Sequence, residues 1–166
     1  LIENHPLLLV HPIAQCKELV YVEPDTGEVL RRRRSPKRGV VAHLFDELVS
    51  LPDAICHPNF AISVLLTVEE EIRCADGKGS WRRGGVSIKD RVLVEVLEEH
   101  LFQRPEDFLR FLPVDLPEPF SNRILAETSG LLLRLCRKIS YCLRKMDVVE
   151  TVGKQGNELL FAVKVG

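Results

Sequence analysis

Between Leu132 and Met146 the apolar side chains recur at 132, 135, 139, 142, 143 and 146. Steps of three and four residues gather such a set on one stripe of an α-helix, which completes a turn in 3.6 residues. The spacing therefore predicts an amphipathic helix that buries Leu132, Leu135, Ile139, Cys142, Leu143 and Met146. Arg134, Arg137, Lys138, Tyr141, Arg144 and Lys145 occupy much of the remaining surface, so its solvent side is basic.

The flanks of this helix are equally well marked. Ser121 is placed to cap a shorter helix through Ile124, Leu125 and Ala126, and Gly130 to end it. After the basic helix come two strand-like runs, "VVETV" and "ELLFAVKV", joined by "GKQGN". Glycines on both sides of Lys154 and Gln155 suit a tight turn that needs positive φ. Upstream, "RPEDFLRFLP" reads as a short helix with Pro105 near its start and acids in its first turn, stopped by Pro113. The proline-rich "DLPEP" is a connector. The composition of the chain changes here, which divides it into residues 1–102 and 103–166.

The order short helix, helix, basic helix, hairpin over residues 103–166 resembles a winged helix-turn-helix DNA-binding domain. In that family the third helix enters the major groove and the wing contacts the backbone. The resemblance implies that Arg134, Arg137, Lys138 and Tyr141 face nucleic acid and that Lys154 sits on the wing. One departure is "SGLLLRL", which puts leucines where base-reading helices often carry polar residues; apolar side chains make no bidentate contacts to bases. Winged helices also serve as protein-interaction modules, so a protein-binding scaffold is one alternative. The whole chain also resembles a set of uncharacterised bacterial proteins that join "SPKRG", "DGKGSWRR" and this C-terminal stretch, a likeness that implies no activity.

Residues 1–102 read mainly as strands. "ELVYVEPDTGEVLRRRR" is a hairpin pattern, with Pro24, Asp25 and Gly27 as turn residues. "VVAHLFDELVSL" places Val41, Leu44, Phe45, Leu48 and Val49 at helical spacings. "FAISVLLTVEEEIR" is β-rich at first and polar later. "VSIKDRVLVEVLEEHLF" fits both periods; its β-branched residues favour a strand over 86–96. The fold class expected is α+β, a mixed β-rich N-terminal module followed by a winged-helix domain.

The net charge is −1, yet the bases are clustered. "RRRRSPKRG" groups Arg31, Arg32, Arg33, Arg34, Lys37 and Arg38, either as phosphate contacts or as an edge strand that charge protects from aggregation. "CADGKGSWRRGG" sets Lys78, Arg82 and Arg83 around Trp81, the one tryptophan of the chain. Trp81 either docks on its own domain or stacks on a base. The two segments are expected to be near neighbours. The partner these clusters select is DNA or RNA, with a protein partner or a second copy of the chain also open.

Other chemistry is poorly supported. Five cysteines without a CxxC pair argue for reduced thiols in a cytoplasmic protein rather than a disulfide framework or a zinc site. No apolar run is long enough to span a membrane. The GxSxG, HExxH and GxxxxGK[ST] patterns do not occur, and no cofactor is implied. The enzymatic alternative is a nuclease of restriction-endonuclease-like type, in which Pro52-Asp53 with Glu71-Ile72-Arg73 would be the motif holding Mg²⁺. Arg73 replaces the usual lysine of that motif and cannot act as a base, and Asp53 falls in a loop.

Overall fold

The computed structural model describes residues 2–51 and 53–164. Three long strands dominate the N-terminal part: β1 (Leu7–Val22), β3 (Phe60–Cys74) and β4 (Ser87–Phe102). With the shorter β2 (Val29–Arg34) they form a four-stranded sheet in the order β2-β1-β3-β4. β1 and β2 are an antiparallel hairpin, with Tyr21 opposite Arg31 and Glu18 opposite Arg34. β4 remains a strand throughout, which settles the ambiguity of its sequence: Val92, Val94 and Val96 are β-branched and favour the extended backbone.

Chain contacts divide the protein into two compact units, neither continuous in sequence. One comprises residues 1–11, 42–63 and 100–166, the other residues 12–41 and 64–99. The long strands are the reason, since β1, β3 and β4 each contribute one end to either unit. The compositional boundary near residue 103 cuts the chain differently because it follows sequence order.

In the first unit an aromatic cluster forms the core. Phe45 lies edge-on to Phe111 at 4.9 Å, and Phe102 packs on Phe108 at 4.6 Å. Phe45 comes from α1 (Phe45–Leu48), which follows a 3-10 turn at Val41–Leu44. The periodicity of 40–51 thus finds the buried residues Leu44, Phe45 and Leu48 but overstates the helix. Val40 and Val41 are β-branched, and no side chain caps the N-terminus, so the helix has little local support. Phe108 and Phe111 belong to a 3-10 segment, Pro105–Phe111, where an ordinary short helix was expected. Its first turn is held by Asp107, which accepts the Gln103 and Arg104 N–H groups at 2.8 and 2.9 Å.

The rest of this unit follows the C-terminal pattern. Ser121 caps α2 (Asn122–Ser129) by accepting the Ile124 N–H at 3.4 Å, and Gly130 ends it. In α3 (Leu133–Lys145) the buried side chains include Leu135, Cys136, Ile139, Cys142 and Leu143. Leu132 is corrected: it precedes the helix with extended backbone and is 63% exposed, outside the stripe. β5 (Val149–Gln155) and β6 (Glu158–Val163) form an antiparallel hairpin. Its turn is narrower than expected, since Lys154 and Gln155 are still in β5 and only Gly156 and Asn157 lie between the strands; Gly156 has φ +60°. Phe120 adds a short antiparallel bridge to Phe161 of β6, and the two rings meet at 5.8 Å. Among the described residues no helix is long and apolar enough to cross a membrane.

Candidate nucleic-acid interface

The exposed face of α3 is assembled by helical spacing. Arg134, Arg137, Tyr141 and Arg144 follow one another at steps of three, four and three, which aligns them along one side. Arg134 and Arg137 are exposed and Tyr141 is half-buried. Lys138 leaves this row: its Nζ meets the Asp46 carboxylate of α1 at 2.8 Å. Arg144 packs partly inward, with Nη1 donating to Thr151 Oγ1 at 3.3 Å and its guanidinium 5.6 Å from the Phe161 ring centre. That contact ties α3 to β5 and β6. Lys145 remains exposed at the end of the helix.

The hairpin places Lys154 opposite Leu159, both exposed. A cleft of about 240 Å³ lies between the start of α2, the start of α3 and the hairpin tip. Asn122, Arg123, Arg137 and Asn157 line it, with Leu133, Glu158 and Leu159. Arg123 bridges to Glu158 at 3.0 Å, which fixes the tip to α2. In the sequence Arg123 is marked only by its place in the first turn of a capped helix, with no basic cluster around it. Residues 120–166 carry eight arginines and lysines against four acids, in a chain whose net charge is −1, so this stretch is a local positive region.

The second unit holds the other two basic segments. On β2, Arg32 is neutralised, its Nη1 lying 2.7 Å from Glu18 and 2.6 Å from Glu70. Arg31, Arg33 and Arg34 are exposed on an edge strand, as are Lys37 and Arg38 beyond it. The Ser35 N–H donates to Lys17 and the Gly39 N–H to Ala14, so residues 35–39 run back along β1.

The tryptophan loop is built, not slack. Asp76 receives the Lys78 N–H at 3.0 Å and Ser87 Oγ at 2.9 Å, and pairs with Lys89 at 3.0 Å. The hydrogen bonds from Lys89, Lys78 and Ser87 hold its carboxyl down at about 2. Gly79 passes so close to Val86 that a Cβ there would lie 1.8 Å from the carbonyl oxygen. A 3-10 turn, Trp81–Arg83, then presents Trp81 at 83% exposure, with the Arg82 guanidinium 5.5 Å from its ring centre. Trp81 therefore does not dock on the protein. Arg83 is turned back onto the Val86 carbonyl.

The two basic segments are only partly neighbours. Lys17 pairs with Glu69 and Glu71, and Tyr21 with Arg73, so β1 and β3 advance in the same direction. Arg31, opposite Tyr21, lies at the end where β3 leads into the loop. Residues 35–39 run from Lys17 back to Ala14, roughly 13 to 23 Å toward the other end at the rise of a strand.

Of the two acids that a nuclease would use, Glu71 is engaged by cations. Glu71 is 4% exposed and bound by Arg73 at 2.7 Å, Arg91 at 3.4 Å and Lys17 at 3.6 Å. Burial alone would raise its pKa, but the hydrogen bond and charge of Arg73, with Lys17 and Arg91, outweigh it and hold the carboxyl below its usual range. Asp53 is exposed at the start of a 3-10 turn in the other unit, and Pro52 lies outside the described residues. Among the described residues no group of three or more His, Cys, Asp or Glu is arranged to hold a metal ion.

A family described as Domain of unknown function (DUF8091) matches residues 1–103, more than half of the chain. An uncharacterized protein of Treponema pallidum (strain Nichols) is 27% identical over 161 residues, 97% of this chain. The chain spans 63% of that relative's length. No solved structure matches. The chain thus belongs to the family of unknown function.

Proposed function

We propose that this member of the family binds duplex DNA through the exposed face of α3 and the β5–β6 hairpin. The observation that carries the reading is the row Arg134, Arg137 and Tyr141 beside a hairpin bearing Lys154, in a region of excess positive charge. The succession of the 105–111 segment, the Phe120 bridge, α2, α3 and the hairpin supports a winged helix-turn-helix, in which α3 would be the groove-entering helix. A helix fits the major groove of B-form DNA but not the deep, narrow one of A-form RNA, which favours DNA as the partner.

Phosphate neutralisation dominates this mode of binding. Arg134, Arg137 and Lys154 supply cations for the backbone, whereas Leu132 and Leu133 at the start of α3 offer no bidentate contact to a base edge. Affinity is accordingly salt-sensitive and weakly dependent on sequence. The five cysteines are all free, which fits a cytoplasmic location. Fluorescence anisotropy with a labelled duplex at increasing salt tests the reading: binding should weaken steeply with salt and be impaired in Arg134→Ala/Arg137→Ala.

A second reading has one specific observation behind it. Leu132 is 63% exposed and Leu133 37%, an apolar start to α3 that suits a protein partner. Under that reading the double arginine substitution leaves partner capture intact while Leu132→Ala/Leu133→Ala abolishes it.

A further inference from the structure

β4 is an outer strand of the four-stranded sheet, and among the described residues no strand pairs with its outer edge. It is also apolar on both faces: Leu93 is 58% exposed and Val94 56%, with Val92 at 40% and Val96 at 44%. A long outer strand with such side chains presents a backbone edge and apolar surface together, which soluble proteins normally cover or protect. The opposite edge shows what protection looks like. β2 is six residues long and carries Arg31, Arg32, Arg33 and Arg34. β4 has no comparable run of one charge.

We propose that β4 pairs with β4 of a second copy of this chain, antiparallel and centred on Leu93, so that the sheet continues through a symmetric homodimer. The charge order of the strand argues for a second copy as the occupant. Lys89, Asp90 and Arg91 lie in the first half of residues 87–99, where bases outnumber acids, and Glu95, Glu98 and Glu99 in the second. Antiparallel self-pairing reverses one copy and brings the end of each that carries Lys89 and Arg91 against the acidic end of the other, in addition to the pairs these two make with Asp76 and Glu71 within the chain. Centred on Leu93, the pairing sets Arg91 opposite Glu95 twice, Val92 opposite Val94 twice, and Leu93 opposite its own copy. Each is a favourable cross-strand combination, whereas farther out Lys89 meets Leu97, Asp90 meets Val96 and Ile88 meets Glu98.

Neighbouring registers are poorer. A centre at Val94 sets Asp90 against Glu98, and a centre at Glu95 sets that carboxylate against itself. A centre at Val92 pairs Lys89 with Glu95 but shortens the overlap. Registers differing by one residue in their pairing sum are excluded, because they would put facing side chains on opposite sides of the sheet. The pairing uses only residues of the second unit and does not depend on the DNA-binding reading.

Sedimentation velocity of the purified chain over a wide concentration range tests the proposal, alongside Leu93→Lys and Glu95→Arg. Both positions are exposed, so circular dichroism should show an unchanged fold. The wild type is expected to be a dimer, Leu93→Lys a monomer, and Glu95→Arg a dimer weakened about tenfold or more. A wild type that stays monomeric overturns the proposal, as does a dimer that survives Leu93→Lys. A dimer that Glu95→Arg leaves as tight as before overturns the register and, with it, the charge argument for a second copy.

Discussion

Lys138 Nζ lies 2.8 Å from the Asp46 carboxylate, so the cation that helical spacing would send toward DNA is held by α1 instead. Both side chains are partly exposed, and such a pair contributes at most about 1 kcal/mol. Lys138→Ala should therefore leave thermal stability nearly unchanged. It should also weaken duplex binding less than Arg137→Ala, measured by anisotropy under one salt condition. Equal losses for the two variants would place Lys138 in the interface.

Trp81 gives a direct optical check on its loop. It is the one tryptophan of the chain and 83% exposed. Its emission should lie at the long wavelengths of solvated indole, and iodide should quench it readily. Blue-shifted, protected emission would show the ring docked.

Gly79 is the position where that loop tolerates substitution least. Its Cβ would lie 1.8 Å from the Val86 carbonyl oxygen, a contact the backbone must move to relieve. Gly79→Ala should destabilise the protein by about 1–3 kcal/mol in urea titration. Gly77→Ala serves as a contrast, because nothing lies within 4 Å of its Cβ and its cost arises from φ +72°.

Acid should act through the carboxylates of the second unit. Glu71 is held below its usual pKa by Arg73, Lys17 and Arg91 against the effect of its burial, and Asp76 at about 2 chiefly by Lys89. A folded pKa below the unfolded one stabilises the fold above the unfolded pKa, near 4 for both residues. That contribution is lost as pH falls through the folded value. Stability should thus decline between about pH 4 and pH 2, and the decline should be shallower in Glu71→Gln and in Asp76→Asn. At neutral pH Glu71→Gln should cost about 2 kcal/mol, since it leaves Lys17, Arg73 and Arg91 without their shared anion.

Local signals in the sequence predict some of these features and not others. Ser121, Gly130 and the 135–139–142–143–146 spacing locate α2 and α3 because capping and periodicity act within a few residues. They fail at Leu132, where the chain has not yet entered the helix. The 40–51 period finds the right core residues but not the right backbone, since packing of Phe45 on Phe108 and Phe111, not propensity, holds that segment. Glu71 reads as one of a solvated acidic run, yet its three cations come from β1, β3 and β4, a convergence that depends on long-range strand pairing. Trp81 shows the opposite limit: a large aromatic suggests docking, and the hydrogen bonds that turn it outward leave no pattern in composition.

The measurement closest to the central claim is the slope of log affinity against log salt for one duplex, compared between the wild type and Arg134→Ala/Arg137→Ala. Each neutralised phosphate contributes about −0.9 to that slope on B-form DNA. The account predicts a steep negative slope for the wild type and one shallower by about 2 for the variant, with folding intact. A slope that does not change on loss of both arginines, or no duplex binding by the wild type at low salt, would contradict it.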